Sequence, residues 1–238
     1  MTHSRAIDVI IPARNEEGSL PTVLREIPRA LVRRMIVADN GSTDQTAAVA
    51  RAHGAEVISA PREGYGNASL AALADIPVGD SVVVWLVADG SDDPAELARV
   101  ATPVAHGLLD LCIGTRVQSP EAPLAMTATQ RYGTAFAAGV LTARFGIRTS
   151  DLGPFRAIDR RALQDLDMRD TTWGWTIEMQ VKAARAGLRV GEVPVSWRPR
   201  IAGEPKVSGT LRGTLGASQK ILHWMAGAVF GPRFDPAR

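Results

Sequence analysis

The run Ser81-Val82-Val83-Val84-Trp85-Leu86-Val87, followed by Ala88-Asp89-Gly90-Ser91-Asp92-Asp93-Pro94, decides the architecture. A near-continuous apolar run of this length, closed by turn formers, reads as a strand buried on both faces and so as part of a mostly parallel sheet. Asp93 suits the cap of a following helix, with Pro94 at its first position and Glu96 reaching back. Asp89 has no such local employment. It stands where a sheet of this kind binds ligands, outside the carboxyl ends of its strands.

The same rhythm extends in both directions. Ile7–Ile11, Met35–Ala38 and Glu56–Ile58 read as three earlier strands, and Leu109–Ile113 as a fifth. Ser42-Thr43-Asp44-Gln45 reads as a capping box for a helix that runs to His53 and stops at Gly54. Beyond residue 115 the helical patterns lengthen, over Thr129–Phe145 and Thr176–Ala186, with a strand over Val190–Val195. The expected fold is therefore α/β, a Rossmann-like, mostly parallel sheet with helices on both faces. Residues 1–209 form the sheet domain and residues 210–238 a helical, basic extension.

Composition agrees with a globular enzyme-sized chain. Of 238 residues, 45% are hydrophobic and 22% charged, and Cys112 is the one cysteine. Disorder and a disulfide scaffold are excluded. Met1–Arg5 lead straight into a strand-like run, so no secretory leader is expected and the cytoplasm is the expected compartment. The net charge of +2 divides unevenly: residues 197–238 carry +5 and the rest −3. A basic end on an acidic body suits an anionic partner such as a phosphate or a membrane surface, although a solvated charged face has the same composition.

Three strand ends carry polar residues. Pro12-Ala13-Arg14-Asn15-Glu16-Glu17 follows the first, where Asn15 and Glu16 also suit local caps. Asp39-Asn40-Gly41-Ser42-Thr43-Asp44 follows the second, where the acceptor-only Asp39 can hold the N–H edge of a base and Asp44 suits the helix dipole. Asp89 follows the fourth, placed to meet a hard divalent ion. Other chemistries are missing. There is no GxxxxGK[ST] loop, Gly64-x-Gly66 lacks a third glycine, and the four histidines have no ligand spacing. Trp173 and Trp175 suit either core packing or a platform for an acceptor.

Taken together and in order, these motifs resemble a family 2 glycosyltransferase of the GT-A fold. Ile113-Gly114-Thr115-Arg116 and Asp151-Leu152-Gly153-Pro154-Phe155-Arg156 are similar to later segments of that family. Glu192-Val193-Pro194-Val195 with Arg200, Gly203 and Lys206 resembles the loop of its dolichyl-phosphate mannosyltransferase-like, polyprenyl-phosphate group. The resemblance spans about residues 7–210 and implies an inverting hexosyl transfer from a nucleotide-sugar. It places Pro12, Arg14, Glu16, Val37 and Asp39 around base and ribose, and Ala88 and Asp89 at the diphosphate. Arg116, Arg200 and Lys206 would meet phosphates. Asp89, with Ser91, would hold Mg²⁺ or Mn²⁺, and Asp151 or Glu178 are the candidate bases should the acceptor be a hydroxyl.

The implied partners are the nucleotide-sugar and an anionic acceptor such as a polyprenyl phosphate, and not nucleic acid. A peripheral position at the inner membrane face and a homo-oligomer are compatible with this. A soluble hydroxyl acceptor and a silent nucleotide-binding protein are the competing alternatives. The pattern departs from the family at Val87, which stands where the first acid of Asp-x-Asp is usual, and at Arg14, where an aromatic often stacks on the base. The Pro- and Gly-rich segment Arg198–Gly209 is expected to be mobile when empty and to order over bound donor and metal.

Overall fold

The computed structural model describes residues 5–118, 126, 128–202 and 211–230. Seven strands, β1 (Ala6–Ala13), β2 (Arg34–Asp39), β3 (Glu56–Ser59), β4 (Ser81–Trp85), β5 (Leu111–Thr115), β6 (Arg156–Asp159) and β7 (Val190–Pro194), form one sheet. Their order is β3-β2-β1-β4-β6-β5-β7. β1 lies parallel to both β2 and β4, β2 parallel to β3, and β5 parallel to β7, while β6 runs antiparallel between β4 and β5. The parallel expectation therefore holds, with one inserted antiparallel strand that the sequence pattern does not announce.

Alternation along the strands divides the core. Ile7, Val9 and Ile11 of β1 pack with Leu20, Val23 and Leu24 of α1 (Leu20–Glu26) and with Leu97, Val100 and Val104 of α4 (Leu97–Ala105). On the opposite face Ile10, Ile36, Val83 and Trp85 pack with Ala68 and Ala72 of α3 (Tyr65–Ala74), Leu163 of α6 (Arg160–Asp165) and Trp175 and Met179 of α7 (Trp175–Arg185). Helices thus cover both faces, as successive side chains of a strand point to opposite sides. A third cluster joins α5 (Ala128–Phe145), α7 and α8 (Leu211–Phe230) through Leu141, Ile177, Val181 and Met225. The C-terminal helix is therefore packed against the body rather than standing apart from it.

Several local expectations are corrected. The capping box at Ser42–Gln45 does not form: α2 spans Thr46–Ala52, and the Ser42 hydroxyl accepts the Asn15 N–H instead, at 3.0 Å. Asp44 does more than face the helix dipole, since it accepts the Thr46 N–H at 2.9 Å and the Glu17 N–H at 3.2 Å. Asp93 does cap its helix, through the Ala95 N–H at 3.0 Å, but Glu96 reaches Ser196 and Arg99 rather than back to the cap. β4 stops at Trp85, two residues before the expected end, so Val87–Asp89 lies in the turn beyond the sheet.

Candidate active site

The carboxyl ends of β1, β2 and β4 meet in one place, and side chains tie them together. Asn15, with φ +49, accepts the Thr43 N–H at 2.8 Å, while the Glu16 N–H donates to the Thr46 hydroxyl at 2.8 Å. Asp39 ends β2 and uses Oδ1 to accept the Ser42 N–H at 3.1 Å. Beside it, Asn40 donates to the carbonyls of Ala60 and Arg62, at 2.8 and 2.6 Å, and accepts the Gly64 N–H at 2.8 Å. Asn40 thereby shapes the 60–64 loop. Its signal in the sequence was only its position next to Asp39. Arg14, half-exposed, pairs with Glu63 on that same loop.

Asp89 lies in the turn after β4, where its Oδ1 accepts the Ser91 N–H at 2.9 Å. Arg200 reaches over it: Nη2 lies 2.8 Å from Asp89 Oδ2 and Nη1 lies 3.2 Å from Oε1 of the buried Glu16. The segment that carries Arg200 is pinned by main-chain bonds. Arg198 N–H donates to the Ser91 carbonyl and Ile201 N–H to the Asp89 carbonyl, each at 3.0 Å. Trp197 bridges to Asp92, and Arg198 pairs with Glu26 at 2.6 Å. Gly90 accepts this strap because it has φ +77 and no side chain; a Cβ there would lie 2.4 Å from Ile201 Cδ1. The part of the loop expected to be mobile when empty is, over 198–202, held down. Lys206 and the rest of that loop lie outside the described residues, as do Arg233 and Arg238.

Arg116, at the end of β5, forms a two-point fork with Asp151. Nε donates to Oδ2 at 2.9 Å and Nη2 to Oδ1 at 2.8 Å, and the Arg116 N–H adds a third bond to Oδ2 at 2.9 Å. Glu192 fixes Asp151 in turn by accepting from Thr149 Oγ1, Ser150 N–H, Ser150 Oγ and Asp151 N–H, at 2.7 to 3.0 Å. Arg156 is fully buried and donates to the carbonyls of Leu152, Gly153 and Thr176, which folds the 151–156 turn around its guanidinium. Burial pulls that guanidinium down to about 10. The Asp-x-x-x-Phe-Arg segment is thus a brace for Arg116, and Glu192 and Arg156 are positioning residues that the sequence reading did not single out.

The two candidate bases are both otherwise engaged. Asp151 has no exposed surface, and both its oxygens face Arg116. Glu178 is no surface helical residue either: it is fully buried, accepts the Arg169 and Asp170 N–H groups at 2.9 and 2.6 Å, and pairs with Lys182 at 2.7 Å. It holds a loop, so we expect Glu178→Gln to cost about 1.5–3 kcal/mol, the worth of hydrogen bonds to a charged group. Chemical denaturation should read that loss, while nucleotide affinity by calorimetry stays unchanged. Val37 lies in register between β1 and β3 with its side chain inside the core, so any part it takes in a site is through its backbone. Ala88 is also buried, whereas Pro12 is half-exposed.

Asp92 is a buried acid beside Asp89 and Arg116. Burial, opposed by Arg116 and reinforced by Asp89, pushes its carboxyl up to about 7. Among the described residues no three His, Cys, Asp or Glu side chains cluster as a metal cage. With Val87 two residues before it, the turn after β4 offers Asp89 as its partly exposed carboxylate, while Asp92 is buried. That set fits a cation which arrives with a diphosphate and takes most of its oxygens from phosphate and water, as Mg²⁺ does.

The chain matches Glycosyl transferase family 2 over residues 8–167. It is 41% identical over 210 residues to an uncharacterized glycosyltransferase of Mycobacterium tuberculosis, Rv0539, covering 88% of this chain and 93% of that protein. It is 32% identical over 230 residues to the undecaprenyl-phosphate mannosyltransferase of Micrococcus luteus, covering 90% and 92%. Among solved structures, glucosyl-3-phosphoglycerate synthase from M. tuberculosis in complex with Mn²⁺, uridine diphosphate and glucosyl-3-phosphoglycerate superposes with a TM-score of 0.74. The two share 24% identity, over 96% of this chain and 81% of that one, which establishes a common GT-A fold. With the sheet order, the three strand-end motifs and these likenesses in agreement, the chain belongs to the family 2 glycosyltransferases.

Proposed function

We propose that the protein is an inverting hexosyltransferase that moves a sugar from a nucleotide-sugar onto a phosphate-bearing acceptor, a polyprenyl phosphate. The observation that carries the acceptor class is the employment of the candidate bases. An acceptor hydroxyl must lose a proton as it attacks, whereas a phosphate is already ionised at pH 7 and needs no base. Asp151 is locked onto Arg116 and Glu178 onto Lys182 and two backbone N–H groups. Asp92 is 2% exposed. The undecaprenyl-phosphate mannosyltransferase of M. luteus is in line with this acceptor.

In this reading Asp39 accepts from the base, and Arg116, braced by Asp151, donates its outer N–H groups to the leaving diphosphate. Arg200 leaves Asp89 and joins the phosphates, which frees a carboxylate for a metal ion. That ion, Mg²⁺ or Mn²⁺, would neutralise charge on the departing diphosphate. The solved synthase complexes contain Mn²⁺ or Mg²⁺ with uridine diphosphate, which supports such a role. Donor recognition is tested by Asp39→Ala, expected to lose about 1.5–3 kcal/mol of nucleotide affinity. Unchanged affinity in a folded variant removes Asp39 from the donor site.

The acceptor is tested by offering labelled nucleotide-sugars with undecaprenyl phosphate, undecaprenol or 3-phosphoglycerate. Transfer to the lipid phosphate alone is the expected result. Transfer to 3-phosphoglycerate and not to the lipid would move the protein beside its structural neighbour, which was solved with that acceptor's glucoside. Among the described residues no helix is long and apolar enough to cross a membrane, so in this reading the acceptor head must be met at the bilayer surface.

A further inference from the structure

A helix face turned to water normally carries charge, and α5 breaks that pattern. Along its exposed face Ala128, Tyr132, Ala135, Phe136, Gly139 and Ala143 follow one another at helical spacing. Tyr132 is 78% exposed and Phe136 50%, one turn apart, and no other aromatic side chain among the described residues is exposed to this degree. α8 packs against α5 in the cluster that holds Ala137, Leu141, Met225 and Ala228, and it too exposes large apolar groups, Leu222 and Val229. A single exposed leucine needs no explanation, but two aromatic rings on one continuous apolar face mark a surface that something covers.

Charge identifies the occupant. Residues 122–150 and 205–234 hold seven basic side chains and none of the chain's 25 acidic ones. α5 lies wholly inside the first stretch and α8 inside the second. Arg131 stands exposed at the edge of the α5 face, and Arg144 lies over the Phe145 ring, 5.2 Å from its centre. A second copy of the chain meeting this face about a two-fold axis would bring like charges together, with no acid on either α5 to offset them. An anionic lipid surface is the complement, because it takes aromatic side chains at and below its headgroups and cations among them.

The face also adjoins the site. α5 begins two residues beyond Met126, whose sulfur accepts from Arg116 Nη2 at 3.8 Å, and Tyr132 lies one turn into the helix. We infer that the exposed face of α5, with Tyr132 and Phe136 as its anchors and Arg131 at its rim, seats the protein on an anionic lipid bilayer. The helix lies along the interface rather than across the bilayer, since its other face, through Ala137 and Leu141, stays packed on the body. For its purpose the inference rests on the acceptor reading above: a bilayer held against α5 presents a lipid phosphate near the end of the helix where Met126 meets Arg116.

The test floats the full chain with vesicles of phosphatidylglycerol and phosphatidylcholine, and with vesicles of phosphatidylcholine alone, in the absence of donor and acceptor. The parent should rise with the anionic vesicles and not with the neutral ones, and raising the salt should weaken the binding. Tyr132→Ser combined with Phe136→Ser should weaken it about tenfold or more, the worth of burying one such ring. Both side chains are exposed, so the urea midpoint of that variant should stay at the parent's value. Arg131→Glu, which leaves the apolar face intact, should weaken binding severalfold and serves if the double variant does not fold.

Because flotation is read without substrates, it stands or falls separately from the acceptor reading. In transfer assays the double variant should lose activity toward undecaprenyl phosphate held in vesicles and keep it toward a short, water-soluble prenyl phosphate. Intact vesicle binding with no transfer by the parent to any prenyl phosphate overturns the acceptor reading and leaves the docking face standing. No flotation with anionic vesicles, or flotation unchanged in both variants, overturns the docking face itself. So does a dimer of the parent that the double variant turns into a monomer without any vesicle binding, since a second copy would then be the occupant.

Discussion

Asp151→Ala is expected to destabilise the protein by about 3–5 kcal/mol and to abolish transfer, because it leaves the largely buried Arg116 guanidinium without its fork. Against a total stability of about 5–15 kcal/mol, that loss brings the native state close to the unfolding threshold. Arg116→Ala should do comparable damage. The double variant should fall well short of the sum, since each single change already breaks the same bonds.

pH provides an independent reading. Burial raises the Asp151 carboxyl, but the hydrogen bond and charge of Arg116 outweigh it and hold the group below the ordinary carboxylate value. A carboxyl depressed in the folded state adds stability that is fully present above its unfolded pKa, about 4, and is lost as pH falls through the folded pKa. Urea midpoints measured below pH 4 should therefore drop faster in the parent than in Asp151→Asn. Parallel slopes would show that the pair contributes no such linkage.

Asp89→Ala is expected to cost about 3–4 kcal/mol of transition-state stabilisation, roughly 10²–10³ in kcat, while nucleotide still binds through Asp39. The loss should be accompanied by loss of any response to Mn²⁺. Activity that survives the substitution, with metal dependence intact, would place the cation elsewhere. The structure adds a second expectation. Because Arg200 pairs with Asp89 Oδ2 and Glu16 Oε1, Mn²⁺ alone should bind feebly to the parent protein and more firmly to Arg200→Ala. Val87→Asp, which restores the family's first acid, should tighten metal binding further.

Most of the sheet was legible in the chain. Val82–Val84 and Val9–Ile11 are buried on both faces, so they carry the dense β-branched and apolar runs that such strands need. β6 was not legible. It is four residues long, opens on a buried arginine, closes on an aspartate and pairs antiparallel with strands more than forty residues upstream. Nothing in the residues around Arg156 announces the three carbonyls that surround its guanidinium. Helix starts fared unevenly for a similar reason. Asp93 caps its own helix, but the Ser42 side chain is claimed by Asn15, a competitor from another strand.

The chain by itself determined where polar residues gather. Burial patterns set the strand ends, and strand ends in this topology share one edge, so Asp39 and Asp89 follow from periodicity alone. What only the tertiary structure decided is which acids remain free to act. Asp89, Asp92, Asp151 and Glu178 are chemically alike on paper. Folding gives the first to Arg200, buries the second, locks the third onto an arginine 35 residues away and sets the fourth under a loop beside Lys182. Hydrogen bonds and close charge pairs act through a few ångströms of space and are indifferent to separation along the chain, so their assignment awaits the folded state.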